Sequence, residues 1–245
     1  SVQSVNDPPE AQYLEVTLEE DETISVTLAG SDSDTPDDSL SITIVDNVSH
    51  GTLVPQARLL ATYIYTPDDN YFGSDTFTYR VTDGESSDTA TVSITVNPVN
   101  DAPVLTSIST QFTDEDVSIQ VTLSATDIDG DVLSYDAVSN TENISVSITG
   151  SILTLTPAEN YNGSSEISVT ANDGFVNSNT ETFILTIDPV NDVPVAVADS
   201  FNVDEDESLT VDAPGVLVND YDVEDSTLTA VLEGDVSHGT LTLNS

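Results

Sequence analysis

The sequence predicts an all-β protein made of tandem antiparallel β-sandwiches, strung as beads on a rod. Three observations predict it. Apolar and polar residues alternate almost throughout, and Gly, Asp, Asn and Pro break the alternation about every 8–12 residues. Thr, Val and Ile dominate the alternating stretches, as a half-buried pleated surface favours, and no segment carries a 3.6-residue period. An acidic phrase then recurs three times: Val5-Asn6-Asp7-Pro8-Pro9, Val99-Asn100-Asp101-Ala102-Pro103 and Val190-Asn191-Asp192-Val193-Pro194. Its aspartates stand 94 and 91 residues apart, so one structural unit is being reissued.

A proline that fixes φ, preceded by an oxygen-rich Asn-Asp pair, belongs in a linker rather than a strand. The phrase therefore divides the chain. Residues 1–7 end a preceding linker, 8–99 and 100–190 are complete repeats, and 191–245 is the first part of a third.

Within each repeat the elements follow one order. An acidic cluster comes early: Glu19-Glu20-Asp21-Glu22, Asp114-Glu115-Asp116 and Asp204-Glu205-Asp206-Glu207. A strand follows with Ile24, Val26 and Leu28 on one face, or Ile119, Val121 and Leu123. Next is an aspartate ladder: Asp32 and Asp34; Asp127, Asp129 and Asp131; Asp220 and Asp222. Both complete repeats later carry Thr-Pro-x-x-Asn-Tyr-x-Gly, at 66–73 and 156–163, then reach Asp83-Gly84 or Asp173-Gly174. A last strand, with Ala90, Val92, Ile94 and Val96 or Phe183, Leu185 and Ile187, leads into the next joint. Tyr65, Phe77, Tyr79 and Phe183 lie at strand spacing and are expected in the core. A repeat of about 90 residues can bury one modest core between two sheets.

The charge excludes whole classes of partner. A formal charge of −43 on 245 residues, with Arg58 and Arg80 the only cations, leaves most carboxylates without an ion-pair partner. There is no basic patch for nucleic acid or for anionic lipid. Divalent-cation binding, a saline setting and disorder remain, and the predicted cores argue against disorder of the repeats. The chain has no cysteine, so neither a disulfide nor a thiolate zinc site can form. That absence leans toward a bacterial surface protein. No apolar run reaches membrane-span length and no signal-peptide pattern opens the chain, so no membrane insertion is expected in this segment. The start in mid-phrase and the short third repeat read as an excerpt of a longer protein.

Calcium takes six to eight oxygens from carboxylates, Asn and backbone carbonyls and water. One joint phrase supplies too few, but loops from both flanking repeats can complete the set. In this ordered set the residues resemble bacterial cadherin-like tandem repeats of large surface adhesins and type I-secreted proteins. They are similar in logic to animal cadherins, whose immunoglobulin-like repeats are joined by acidic Asn-Asp linkers that hold calcium. The resemblance spans the whole chain.

It implies ligands joint by joint. Glu20 and Asp69, the linker's Asn100 and Asp101, and Asp127, Asp129 and Asp173 would serve the first joint. Glu115 and Glu159, then Asn191 and Asp192, then Asp220 and Asp222 would serve the second. Asn6, Asp7, Asp32, Asp34 and Asp83 would form half a site at the N-terminal end. Where animal cadherins carry Asp-Arg-Glu, this chain reads Asp68-Asp69-Asn70 or Ala158-Glu159-Asn160, so Asp69 and Glu159 match the pattern least well.

Simpler readings compete at each position. The joint phrase also suits a plain turn, and Asp83 and Asp173 precede glycine as hairpin residues do. His50 and His238 both sit in Ser-His-Gly-Thr-Leu and read as a repeated hairpin position rather than a zinc ligand or catalytic base. No nucleophile elbow or oxyanion motif is present, and an active site would not recur in every repeat, so no enzyme is expected. Asn47, Asn143 and Asn162 begin N-x-S/T sequons, as chance allows in a Ser/Thr-rich chain.

The expected function is a calcium-stiffened extracellular stalk of a bacterial cell-surface or secreted adhesin. Its partners would be its own neighbouring repeats and a cell-surface, matrix or homophilic protein or glycan. A passive spacer that displays another domain is the alternative, and a ligand-binding adhesive module is a second.

Overall fold

Leu14, Val16 and Leu18 alternate with Glu15, Thr17 and Glu19, and this stretch becomes the strand that organises the first repeat. In the computed structural model, which describes residues 5–57 and 61–243, the chain divides into two units. One ends at Asp101 and the other begins at Ala102.

The first unit runs β1 (Glu10–Ala11), β2 (Leu14–Glu19), β3 (Ile24–Thr27), β4 (Gly30–Ser31), β5 (Ser41–Asp46), β6 (Gly51–Pro55), β7 (Thr62–Pro67), β8 (Gly73–Thr82) and β9 (Ser87–Asn97). One sheet has the order β2-β9-β8-β5, the other β3-β7-β6, and β1 pairs with β4. All pairings are antiparallel except β2 with β9, which run parallel from Leu14↔Val92 to Glu19↔Asn97.

The first part of the second unit repeats this plan: β10 (Val104–Leu105), β11 (Gln111–Asp114), β12 (Ile119–Thr122), β13 (Ala125–Thr126), β14 (Ser134–Ser139), β15 (Ile144–Thr149), β16 (Ile152–Pro157), β17 (Gly163–Asn172) and β18 (Glu181–Asp188). Its sheets have the orders β11-β18-β17-β14 and β12-β16-β15, with β11 and β18 again parallel. This is the all-β, immunoglobulin-like sandwich the alternation predicts.

Each repeat closes on its own core. Tyr65, Phe77, Tyr79, Val92 and Ile94 are buried in the first, and Leu153, Leu155, Ile167, Phe183 and Leu185 in the second. Tyr79 also serves as a bolt: its hydroxyl meets the carbonyls of Gln12 (2.6 Å) and Ala29 (2.8 Å) and accepts the Gln12 N–H.

The Ser-His-Gly-Thr position has a structural explanation. The His50 and Ser49 N–H groups donate to the buried Asp75 carboxylate, and the His50 ring stacks on Tyr71 at 4.3 Å between centroids. Residues 191–243 form one isolated bridge, Val195↔Tyr221, and a short 3-10 turn at Gly215–Leu217. Among the described residues of that segment none is buried. Arg80 is exposed on β8, and Arg58 lies outside the described residues.

Candidate metal centre

The parallel pairing of the first long strand with the last has a chemical consequence. It delivers the acidic cluster that follows β2 to the exit of β9, and the cluster after β11 to the exit of β18. The Glu20 N–H donates to the Asn97 carbonyl and the Glu115 N–H to that of Asp188, each at 2.9 Å. Asp21 and Asp116 then turn the chain at φ 64° and 62°, a conformation that Asp tolerates better than most residues. Glu20 and Glu115, only 2% and 3% exposed, point back and accept the amide hydrogens of Val99 and Val190, each at 2.6 Å. Each glutamate thus grips the residue directly before the next Asn-Asp pair. Asp69 and Glu159 stand exposed in the turns after β7 and β16.

The head of the first repeat gathers all five residues expected there. The Asn6 amide donates to Asp83 Oδ2 at 2.9 Å and to Ser86 Oγ at 3.1 Å. The Asp7 N–H donates to Asp34 Oδ2, and the Ser33 hydroxyl donates to Asp7 Oδ2. Asp32 Oδ1 accepts the N–H groups of Asp34 and Thr35, while Asp83 Oδ1 accepts those of Glu85 and Ser86.

These bonds favour the ionised carboxylates. The Ser86 N–H, the Asn6 amide and the Glu85 N–H hold Asp83 well below the usual carboxylate range. The Asp34 N–H lowers Asp32, against the burial that raises it. Asp32 Oδ2 is buried and makes no hydrogen bond.

In the second repeat, Asp127, Asp129 and Asp131 each offer an oxygen within 4.8 Å of the others. Gly130, at φ 80°, makes the turn that folds them together. Asp127 Oδ1 accepts the Asp131 N–H, and Asp127 Oδ2 is buried without a hydrogen bond, as Asp32 Oδ2 is. Asp173 Oδ1 accepts two successive N–H groups, from Phe175 and Val176, as Asp83 does one repeat earlier. Asn100 and Asp101 close the first unit. The Asn100 amide donates to the Asp101 carbonyl at 3.1 Å, the bond that Asn6 makes to Asp7 at the same length and that Asn191 makes to Asp192.

The third ladder sits two residues later than its sequence suggests. Val195 pairs with Tyr221 where Glu10 pairs with Ser31 and Val104 with Thr126. Asp222 therefore matches Asp32, and Glu224 matches Asp34. The hydrogen bonds agree. Asp222 Oδ1 accepts the N–H groups of Glu224 and Asp225, and Glu224 accepts that of Asp192 at 3.1 Å. Burial raises the Glu224 pKa, the Asp192 N–H lowers it and the Asp192 charge raises it again. Asp220, which precedes the paired Tyr221, accepts the Val197 N–H on Oδ1 at 2.7 Å.

The sequence reading missed Glu224 because Asp220, Asp222 and Glu224 offer two overlapping frames, and only strand pairing chooses between them. It also left Asp131 outside the ligand set. The Asn162 amide, which donates to Glu115 Oε2 at 3.2 Å, was read only as a sequon. Repeat 1 has Phe72 in its place, so alignment of the repeats points away from it.

Known proteins resemble the chain in fold or in sequence. The first two extracellular repeats of human protocadherin-24 align with a TM-score of 0.53 at 14% identity, covering 75% of this chain and 99% of that one. Integrin beta-like protein B of Dictyostelium discoideum is 33% identical over 98 residues, and integrin beta-like protein C is 31% identical over 99. Those stretches are 39% of this chain and 5% of each relative, so the chain spans about a twentieth of the curated proteins it matches. A match to the bacterial Ig domain family covers residues 6–95, 100–186 and 191–245, which is nearly every residue and all three repeats. The chain belongs to the bacterial Ig domain family, as a tandem array of its repeats.

Proposed function

We propose that this array is a calcium-binding stretch of an extracellular or surface protein, a stalk whose joints are set by divalent cations and which supports adhesion. The observation that carries the reading is the recurrence of buried carboxylate oxygens without hydrogen bonds: Asp32 Oδ2, Asp127 Oδ2 and Asp192 Oδ2. An ionised oxygen withdrawn from water needs a partner, and leaving it without one costs free energy. The donor sets around these atoms contain only hard oxygens, which fits calcium and disfavours zinc. Asp7, Asp32, Asp34 and Asp83 would hold the ion at the head of repeat 1. Asp127, Asp129, Asp131 and Asp173 would do so in repeat 2, and Asp192, Asp222 and Glu224 in repeat 3. When bound, calcium would supply positive charge to carboxylates that otherwise repel one another.

Membership of a bacterial Ig family and the likeness to integrin beta-like proteins support the extracellular, adhesive part of the reading. Tandem repetition supports contacts between neighbouring repeats. Among the described residues no helix is long and apolar enough to cross a membrane.

Calorimetric titration of the chain with calcium, alongside melting curves in calcium and in chelator, tests the proposal. Saturable heat and a higher melting temperature in calcium are expected. No heat and superimposable melting curves would refute ligation.

A passive spacer is the second reading. Its support is that Asp32, Asp83 and Asp173 already satisfy one oxygen each with backbone N–H groups, so their loops need no ion to form. Substituting Asp32 and Asp127 by Asn separates the two readings, because a spacer would not change its response to calcium.

A further inference from the structure

Asn162 and Gly163 form the single Asn-Gly pair in the chain. A side chain on the following residue ordinarily screens its backbone nitrogen from the asparagine amide. Gly163 has none, and a Cβ placed there would meet nothing nearer than Tyr161 Oη at 3.7 Å. Asn162 is exposed, yet its amide donates to Glu115 Oε2 at 3.2 Å. The other oxygen of Glu115 holds the Val190 N–H at 2.6 Å. One exposed amide is thus two hydrogen bonds from the residue that precedes Asn191-Asp192.

We propose that Asn162 is a spontaneous deamidation site whose product loosens the Glu115 grip on Val190. The Gly163 backbone nitrogen bonds to Cγ of Asn162, and the Cγ–Nδ2 bond breaks. The proton of that nitrogen leaves with the side-chain amide as ammonia. Water then opens the five-membered imide at either carbonyl, leaving Asp or isoaspartate at position 162. One water is consumed, one ammonia is released and nothing is oxidised.

The product lacks the N–H that Glu115 Oε2 accepts and adds a second carboxylate beside it. With its donor gone and a like charge beside it, the Glu115 side chain is pushed away from position 162, which weakens its bond to Val190. Repeat 1 is the internal control, because Phe72 stands at the matching position and the Glu20 bond to Val99 has no amide to lose. The inference does not depend on calcium.

The test uses the whole chain in chelator, aged in mildly alkaline buffer at 37 °C and mapped by peptide mass spectrometry with isoaspartate detection. Conversion confined to the Asn162 peptide, and absent from an Asn162→Gln variant, is the expected result. Hydrogen exchange gives the second measurement. The Val190 amide should exchange about tenfold faster in Asn162→Asp than in the unaged chain, with Val99 unchanged as proof that the fold persists. Asn162 remaining an amide while Asn100 or Asn191 converts would overturn the site. Unaltered Val190 exchange in Asn162→Asp would overturn its consequence.

Discussion

Glu20 reaches beyond the end of its own strand and takes the amide hydrogen of Val99, 79 residues away, at 2.6 Å. Glu115 and Val190 repeat the bond at the same length one repeat later. Hydrogen bonds with an ionised acceptor contribute about 1.5–3 kcal/mol, more than neutral ones. The Glu20→Ala variant should therefore lose about 2 kcal/mol of stability in denaturant titration. Val99 should lose its protection in hydrogen exchange. A Glu20→Gln variant should fall between the two, since its carbonyl still accepts but carries no charge.

Asp75 predicts a pH dependence. It is 4% exposed. Burial raises its carboxyl, but the N–H groups of Ser49, His50 and Thr76 and the Tyr65 hydroxyl outweigh this and leave it below its ordinary value of 3.8. A pKa depressed by folding stabilises the fold above the unfolded value and ceases to do so as pH falls through the folded one. Wild type should exceed Asp75→Asn by about 1–3 kcal/mol at neutral pH. That gap should hold down to about pH 4 and close below it. Denaturant titrations of both chains across this range provide the check.

Gly51 explains why a glycine follows His50. A Cβ there would strike the Thr66 carbonyl oxygen and lie 3.0 Å from Tyr65 Cε2 and 3.1 Å from Pro67 Cα. Two of those atoms are backbone and cannot swing aside. Gly51→Ala should destabilise the first repeat by about 3 kcal/mol, near the upper end of overpacking costs. Calorimetry should show one transition moving to lower temperature.

The third ladder separates Glu224 from Asp220. If Asp222 and Glu224 serve the second joint with Asp192, Glu224→Gln should weaken calcium binding there by about tenfold. Asp220→Asn should leave it unchanged, since Asp220 lies before the Val195↔Tyr221 pair, outside the two positions that match Asp32 and Asp34. Calorimetric titration of both variants reads the difference.

How much was legible beforehand depended on how local each signal was. Strands were legible because a pleat imposes a two-residue period, so Phe77 and Tyr79 were expected in the core, and both are buried. The joints were legible because Asn-Asp with a nearby proline is a local phrase. The five residues expected at the head of repeat 1 came from a set repeated in order, and hydrogen bonds join Asn6 to Asp83, Asp7 to Asp34 and Asp34 to Asp32.

Three things depended on pairing between distant strands. The parallel register of β2 with β9 turns Glu20 from a generic acid into the residue holding Val99. The Val195↔Tyr221 bridge decides which acids of the third ladder correspond to Asp32 and Asp34. The placement of Asn162 beside Glu115 has no counterpart in repeat 1, so repetition could not reveal it.

The parallel pairing of β2 with β9 also determines how a repeat bears load. A pull on the chain draws β2 by its N-terminal end and β9 by its C-terminal end. In parallel neighbours these are opposite ends of the ladder. The bonds between Leu14 and Glu19 on one side and Val92 and Asn97 on the other are then loaded in shear and must yield together. Antiparallel neighbours pulled from the same end would unzip one bond at a time. Once the two-residue β1–β4 or β10–β13 pairing is passed, tension along the chain therefore meets each sandwich at a seam loaded in shear, and the Glu20 and Glu115 bonds lie at the C-terminal end of that seam.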